Sequence, residues 1–95
     1  MKAIVINKDK SLSWQEVPDP ILREDEVLIK VAYAAVNRAD LMQREGNYPP
    51  PQGCPEWPGL EVSGTIVKMG KAASEKSRRK VGDKVCALLG GGGYA

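Results

Sequence analysis

The stretch from Glu26 to Val36 constrains the fold of this chain more than any other. Side chains alternate across a strand, so Val27, Ile29, Val31 and Tyr33 share one face, while Leu28, Ala32, Ala34 and Val36 share the other. Both faces are apolar. That pattern suits a strand covered on both sides, and it predicts a central strand of a closed barrel or a sandwich.

The neighbouring segments also read as strands. Met1 to Ile6 is short and apolar, and Ser11 to Val17 alternates, with Leu12 and Trp14 on one face and Ser13 and Gln15 on the other. The two are expected to pair as a hairpin across Asn7-Lys8-Asp9-Lys10, with the second strand half-buried and ended by Pro18 and Pro20, which cannot donate to a ladder. Further strands are predicted over Leu60–Lys68 and Val85–Leu89. Asn37 to Glu45 reads as one short helix: Asn37 is a favoured N-cap, Asp40 falls in the electropositive first turn, and Gly46 supplies a left-handed stop. Asn47 to Pro58 is a loop holding five prolines, and Lys71 to Lys80, rich in basic residues, is expected to be an exposed connection. No βαβ alternation is visible. The prediction is a mainly β, partly open barrel with one short helix, a single domain over residues 1–95. Tyr94-Ala95 reads as the start of another strand, so the chain is expected to be truncated.

Composition removes several classes of function. A net charge of +2 gives no basis for a nucleic acid or anionic membrane partner. No apolar run reaches the ~20 residues that span a bilayer, and the N-terminus turns polar too early for a signal peptide, so a cytoplasmic protein with reduced thiols is expected. Cys54 and Cys86 stand 32 positions apart, and the chain has no histidine. A Cys/His zinc cluster within the chain is thereby ruled out.

Three residues are candidates for chemistry, each with a structural alternative. Asn37 is able to cap the helix through its side-chain oxygen, or to turn its carboxamide into a cleft and hydrogen-bond a ligand or cofactor amide; one carboxamide cannot fully serve both. Tyr48, held in the proline-rich loop, either anchors that loop by packing or donates its phenol to a substrate oxygen where charge builds up. Glu61, at the start of a strand, reads first as an exposed residue paired with Lys or Arg. Arg38 and Asp40 read first as surface or interdomain ion-pair partners. Gly90–Gly93 lacks the strand–G-x-G-x-x-G–helix context of a dinucleotide fingerprint and reads as a turn. The basic residues Lys76, Arg78, Arg79 and Lys80 read as a solvated loop.

Taken together, several segments resemble the medium-chain dehydrogenase/reductase superfamily. Ala34-Ala35-Val36-Asn37-Arg38-Ala39-Asp40-Leu41 resembles its strand-to-helix segment, and Gly46-Asn47-Tyr48-Pro49-Pro50-Pro51 resembles its quinone oxidoreductase branch. Pro58-Gly59-Leu60-Glu61-Val62-Ser63-Gly64-Thr65-Ile66-Val67 resembles the shared P-G-x-E-x-x-G-x-V strand. Val81-Gly82-Asp83-Lys84-Val85 and Gly92-Gly93-Tyr94-Ala95 resemble the V-G-D-x-V and G-G-x-A elements, and all occur in the superfamily's order. The resemblance implies a GroES-like domain, followed in family members by a Rossmann domain that holds NADPH. It also implies that Asn37 and Tyr48 face nicotinamide and substrate, Asn37 as a positioning amide and Tyr48 as a donor to a quinone oxygen, with Glu61 adjacent to the cleft.

The departures sharpen this. Zinc-dependent members carry Cys where this chain has Asn37 and His where it has Leu60, and neither an amide nor an alkyl group replaces a thiolate or imidazole on zinc. The expected reaction is zinc-independent hydride transfer from NADPH to a quinone or related enone, with an enoyl-thioester reductase or a non-catalytic GroES-like interaction module as alternatives. A homodimer is implied by the family resemblance alone.

Overall fold

The computed structural model describes residues 1–95. Strands β1 (Lys2–Ile6) and β2 (Leu12–Glu16) form an antiparallel hairpin in which Ile4 faces Trp14. Strands β3 (Val27–Ala34), β4 (Glu61–Met69) and β5 (Lys84–Leu88) form a second antiparallel sheet in the order β3-β4-β5. Helix α1 (Arg38–Arg44) follows β3, and α2 (Lys71–Lys76) follows β4. The sheets do not close into a barrel. No helix is long and apolar enough to cross a membrane.

The hairpin turn is fastened locally: the Asn7 N–H donates to the Ser11 carbonyl at 2.8 Å, and the Ser11 N–H donates to Asp9 Oδ1 at 3.0 Å. The glycine-rich C-terminal segment ties the two sheets together. Ile4 N–H donates to the Tyr94 carbonyl at 2.9 Å, while Tyr94 N–H donates to the Pro58 carbonyl at 3.1 Å and Gly93 N–H to the Gly59 carbonyl at 2.9 Å. Gly59 has φ +114°, and a side chain there would run into the Gly93–Tyr94 backbone, so this crossing requires glycine twice over.

Three of the expectations need correction. The second strand is not half-buried: Leu12 and Trp14 are both exposed, Trp14 by 58%. Alternation fixes which side chains share a face, but β2 pairs only with β1 and nothing covers that face. Strand β3 is likewise not enclosed on both sides, since Tyr33 is 77% exposed and the apolar Val36 just beyond it 84%. Third, Lys71–Lys76 is helical rather than an open connection, so the chain has two short helices. Ala72 and Ala73 favour that turn, and tertiary bonds hold it, with Gly70 N–H donating to the Glu26 carbonyl at 2.8 Å and Ala73 N–H to the Glu24 carbonyl at 2.9 Å.

The buried hydrophobic side chains are Ala3, Val62 and Ile66. The accessible surface is 6980 Å². A compact monomer of this mass would expose roughly 5,400 Å². Part of the excess lies on uncovered sheet faces, where Trp14, Tyr33 and Leu88 are exposed.

Candidate functional site

The site forms where β3 ends and β4 begins. Ala35 N–H donates to the Glu61 carbonyl at 3.0 Å, which brings the start of α1 alongside Glu61. Asn37 is extended (φ −127°, ψ 154°) and caps α1. Its backbone N–H donates to Asp40 Oδ2 at 2.8 Å, and the Asp40 N–H returns to the Asn37 carbonyl at 3.0 Å. The Asn37 side chain turns toward β4, where Nδ2 donates to Glu61 Oε2 at 3.4 Å. Asn37 and Glu61, 24 residues apart, thus form one polar pair, and both are half-buried.

Glu61 also lines a shallow pocket of about 200 Å³ with Tyr33, Ala34, Ala35, Ser63 and Cys86. Cys86 reaches it from β5, opposite Ser63 in the sheet register. The walls are mainly apolar with one carboxylate at the edge. The volume is below the ~300–1,000 Å³ of a complete ligand site, so this surface suits one face of a ring rather than a whole cofactor. A larger groove of about 590 Å³ runs past Val27, Ile29, Val31, Trp57 and Val62, and the Trp57 indole N–H is buried without a partner.

Tyr48 stands apart from the Asn37–Glu61 pair. It lies in the proline-rich loop after α1, is 37% exposed, lines neither cavity, and its phenol forms no hydrogen bond within the chain.

Asp40 is buried, which corrects its reading as a surface or interdomain ion-pair partner. The reason is a contact absent from local sequence: the Tyr94 phenol donates to Asp40 Oδ2 and lies 3.0 Å from the Ala35 carbonyl. Burial and the adjacent Asp40 carboxylate push the Tyr94 phenol up to about 12. Asp40 Oδ1 is buried and unpartnered. The Asn37-to-Asp40 spacing is itself a legible capping signal, but nothing in the sequence near Asp40 announces a tyrosine 54 positions away. Gln43 is also buried, and its side-chain amide donates to the Glu56 carbonyl at 2.9 Å, fastening α1 to the loop.

With this geometry in place, the relationship to other proteins is direct. Residues 23–95 match the alcohol dehydrogenase GroES-like domain. The chain belongs to that family. This GroES-like domain is 43% identical over 90 residues to an acryloyl-coenzyme A reductase from Sulfurisphaera tokodaii, covering 94% of the chain and 26% of that protein. It is 41% identical over 69 residues to an NADPH-dependent alkenal/one oxidoreductase of Arabidopsis thaliana, covering 72% of the chain and 17% of that protein. Among solved structures, the quinone oxidoreductase from Coxiella burnetii superposes with a TM-score of 0.71 at 26% identity, over 93% of this chain and 34% of that one. Against these three proteins the GroES-like domain spans between 17% and 34% of their length. The relatives are oxidoreductases of the medium-chain dehydrogenase/reductase superfamily, in agreement with the resemblance read from the motifs.

Proposed function

We propose that this GroES-like domain supplies the substrate-side wall of a two-domain, NADPH-dependent reductase that transfers hydride, without zinc, to quinones or related electron-poor enones. The observation that carries this reading is the Asn37–Glu61 pair at the edge of an apolar pocket. With one Nδ2 hydrogen directed to Glu61, Asn37 keeps a second N–H for a ligand. That donor complements a carboxamide such as that of nicotinamide. The donor set does not suit zinc: no three His, Cys, Asp or Glu side chains converge, and Asn37 and Leu60 stand where zinc-dependent relatives are expected to carry ligands.

Bound NADPH would supply the hydride. A quinone already accepts hydride well, so positioning and a few donors replace a Lewis acid. Tyr48, with a phenol unengaged inside the chain, is the proposed donor to the acceptor oxygen, which becomes a hydroquinone oxygen once the hydride and a proton have been added. Asn37 orients the cofactor, and Glu61 fixes the Asn37 carboxamide.

A second reading has its own support, because the acryloyl-coenzyme A reductase covers nearly all of this chain at 43% identity. Under it, the acceptor is an enoyl thioester. An acceptor panel separates the two. The intact reductase is offered NADPH with a simple quinone, an alkenone and acryloyl-coenzyme A in turn, and kcat/KM is compared. The first reading expects the quinone or alkenone to lead, and a clear preference for the thioester replaces it with the second.

A further inference from the structure

We propose that Tyr94 is a positioning residue for Asn37, holding the Asp40 carboxylate at the β3–α1 junction so that the Asn37 carboxamide is held against Glu61. The proposal rests on the reading of Asn37 as a ligand-facing group. Tyr94 lies in the C-terminal glycine segment, and its phenol reaches two groups that bracket Asn37 in sequence: the Ala35 carbonyl two residues before it and the Asp40 carboxylate three residues after it. A phenol has one proton, and the charged carboxylate is the stronger acceptor, so that proton goes to Asp40. The same Asp40 oxygen accepts the Asn37 backbone N–H at 2.8 Å. Tyr94, Asp40, Asn37 and Glu61 therefore form a continuous chain of hydrogen bonds from the half-buried Tyr94 to the pocket edge.

Asp40 makes this arrangement sensitive. Its carboxylate is buried and its second oxygen has no donor, so Oδ2 takes all the side-chain bonds that the charge receives. Removing the Tyr94 O–H leaves the carboxylate with the Asn37 N–H as its only hydrogen-bond donor. A buried carboxylate so poorly served turns toward solvent, and it carries the Asn37 N–H and the first turn of α1 with it. The backbone of Tyr94 is held separately, by Ile4 and Pro58, so loss of the phenol oxygen leaves the crossing of the two sheets in place.

The test is amide hydrogen exchange in the protein and its Tyr94→Phe variant, read at Asn37 and at Ile66, whose N–H is bonded to the Asp83 carbonyl far from the phenol in sequence. Exchange at Asn37 is expected to rise roughly tenfold, the effect of one lost bond to a charged group, with Ile66 unchanged. An equal rise at both positions, or none at Asn37, overturns the proposal. If Tyr94→Phe does not fold, ring-fluorinated tyrosine serves instead, because it changes the strength of the phenol donor and keeps its shape. The Asn37 amide signals must then shift while those of Ile66 stay, and an unmoved Asn37 sinks the idea. Both readouts are taken without NADPH or quinone, so an inactive reductase would count against the proposed function alone.

Discussion

Asn37 shows how one residue is shared between folding and chemistry. Capping and ligand binding compete for its carboxamide, and the structure divides the work: the backbone N–H and the Asp40 side chain organise the helix start, while the carboxamide nitrogen turns to Glu61. Under the proposed function, Asn37→Ala in the two-domain protein should lower kcat/KM by roughly 10–100-fold through lost positioning, with a stability loss of no more than the about 1 kcal/mol of a lost N-cap. A loss of folding without a kinetic effect in the folded fraction would return Asn37 to a structural role. Tyr48→Phe is expected to reduce kcat on the order of 100-fold while KM for NADPH stays put, as for a removed donor at a developing negative charge. Unchanged kcat would assign Tyr48 to the loop. For Tyr94, the neutral phenol is favoured in the fold, where its ionisation lies at about 12 against an ordinary 10.0. The folded state holds the proton that the unfolded state releases, so this contribution is complete below pH 10.0 and is lost as pH rises through about 12. A tyrosinate absorbance titration should show one late step that disappears in Tyr94→Phe.

At the level of elements, the crossing of the C-terminal glycine segment over Pro58–Leu60 is the most demanding piece of backbone. Gly59→Ala meets both a positive φ and the Gly93–Tyr94 backbone, and should lower stability by about 3 kcal/mol or more. Gly46, with φ +85° and open space around it, gives the contrast: Gly46→Ala should cost only about 1 kcal/mol. Thermal melts of the two variants side by side check the ranking. The strands, the hairpin turn and helix α1 were legible because alternation, turn residues and an N-cap are local signals. Helix α2 was not, because its six residues are held by Glu24 and Glu26, contacts that local composition does not encode. The exposure of Trp14 and Tyr33 was missed for a related reason, since periodicity assigns faces but does not say what covers them. Within the site, Asn37 and Glu61 were named from their motifs and the structure joins them. Asp40 was misread because its partner, Tyr94, comes from the far end of the chain.

On the scale of the whole molecule, the domain leaves its sheets open. Val36 and Leu88 are each 84% exposed, and the hydrophobic core is small. The pocket beside Glu61 has room for one ring face, and no strand of the chain runs through a G-x-G-x-x-G turn into a helix that would hold a pyrophosphate. Catalysis under the proposed function therefore requires a second domain bearing the dinucleotide. The most direct test is NADPH oxidation with a quinone acceptor, measured in parallel for the 95-residue chain and for the proposed two-domain protein after dialysis against a metal chelator. The account predicts turnover by the intact, chelator-treated protein and none by the chain alone. Turnover by the isolated chain, or an intact protein that is active only when zinc is restored, would contradict it.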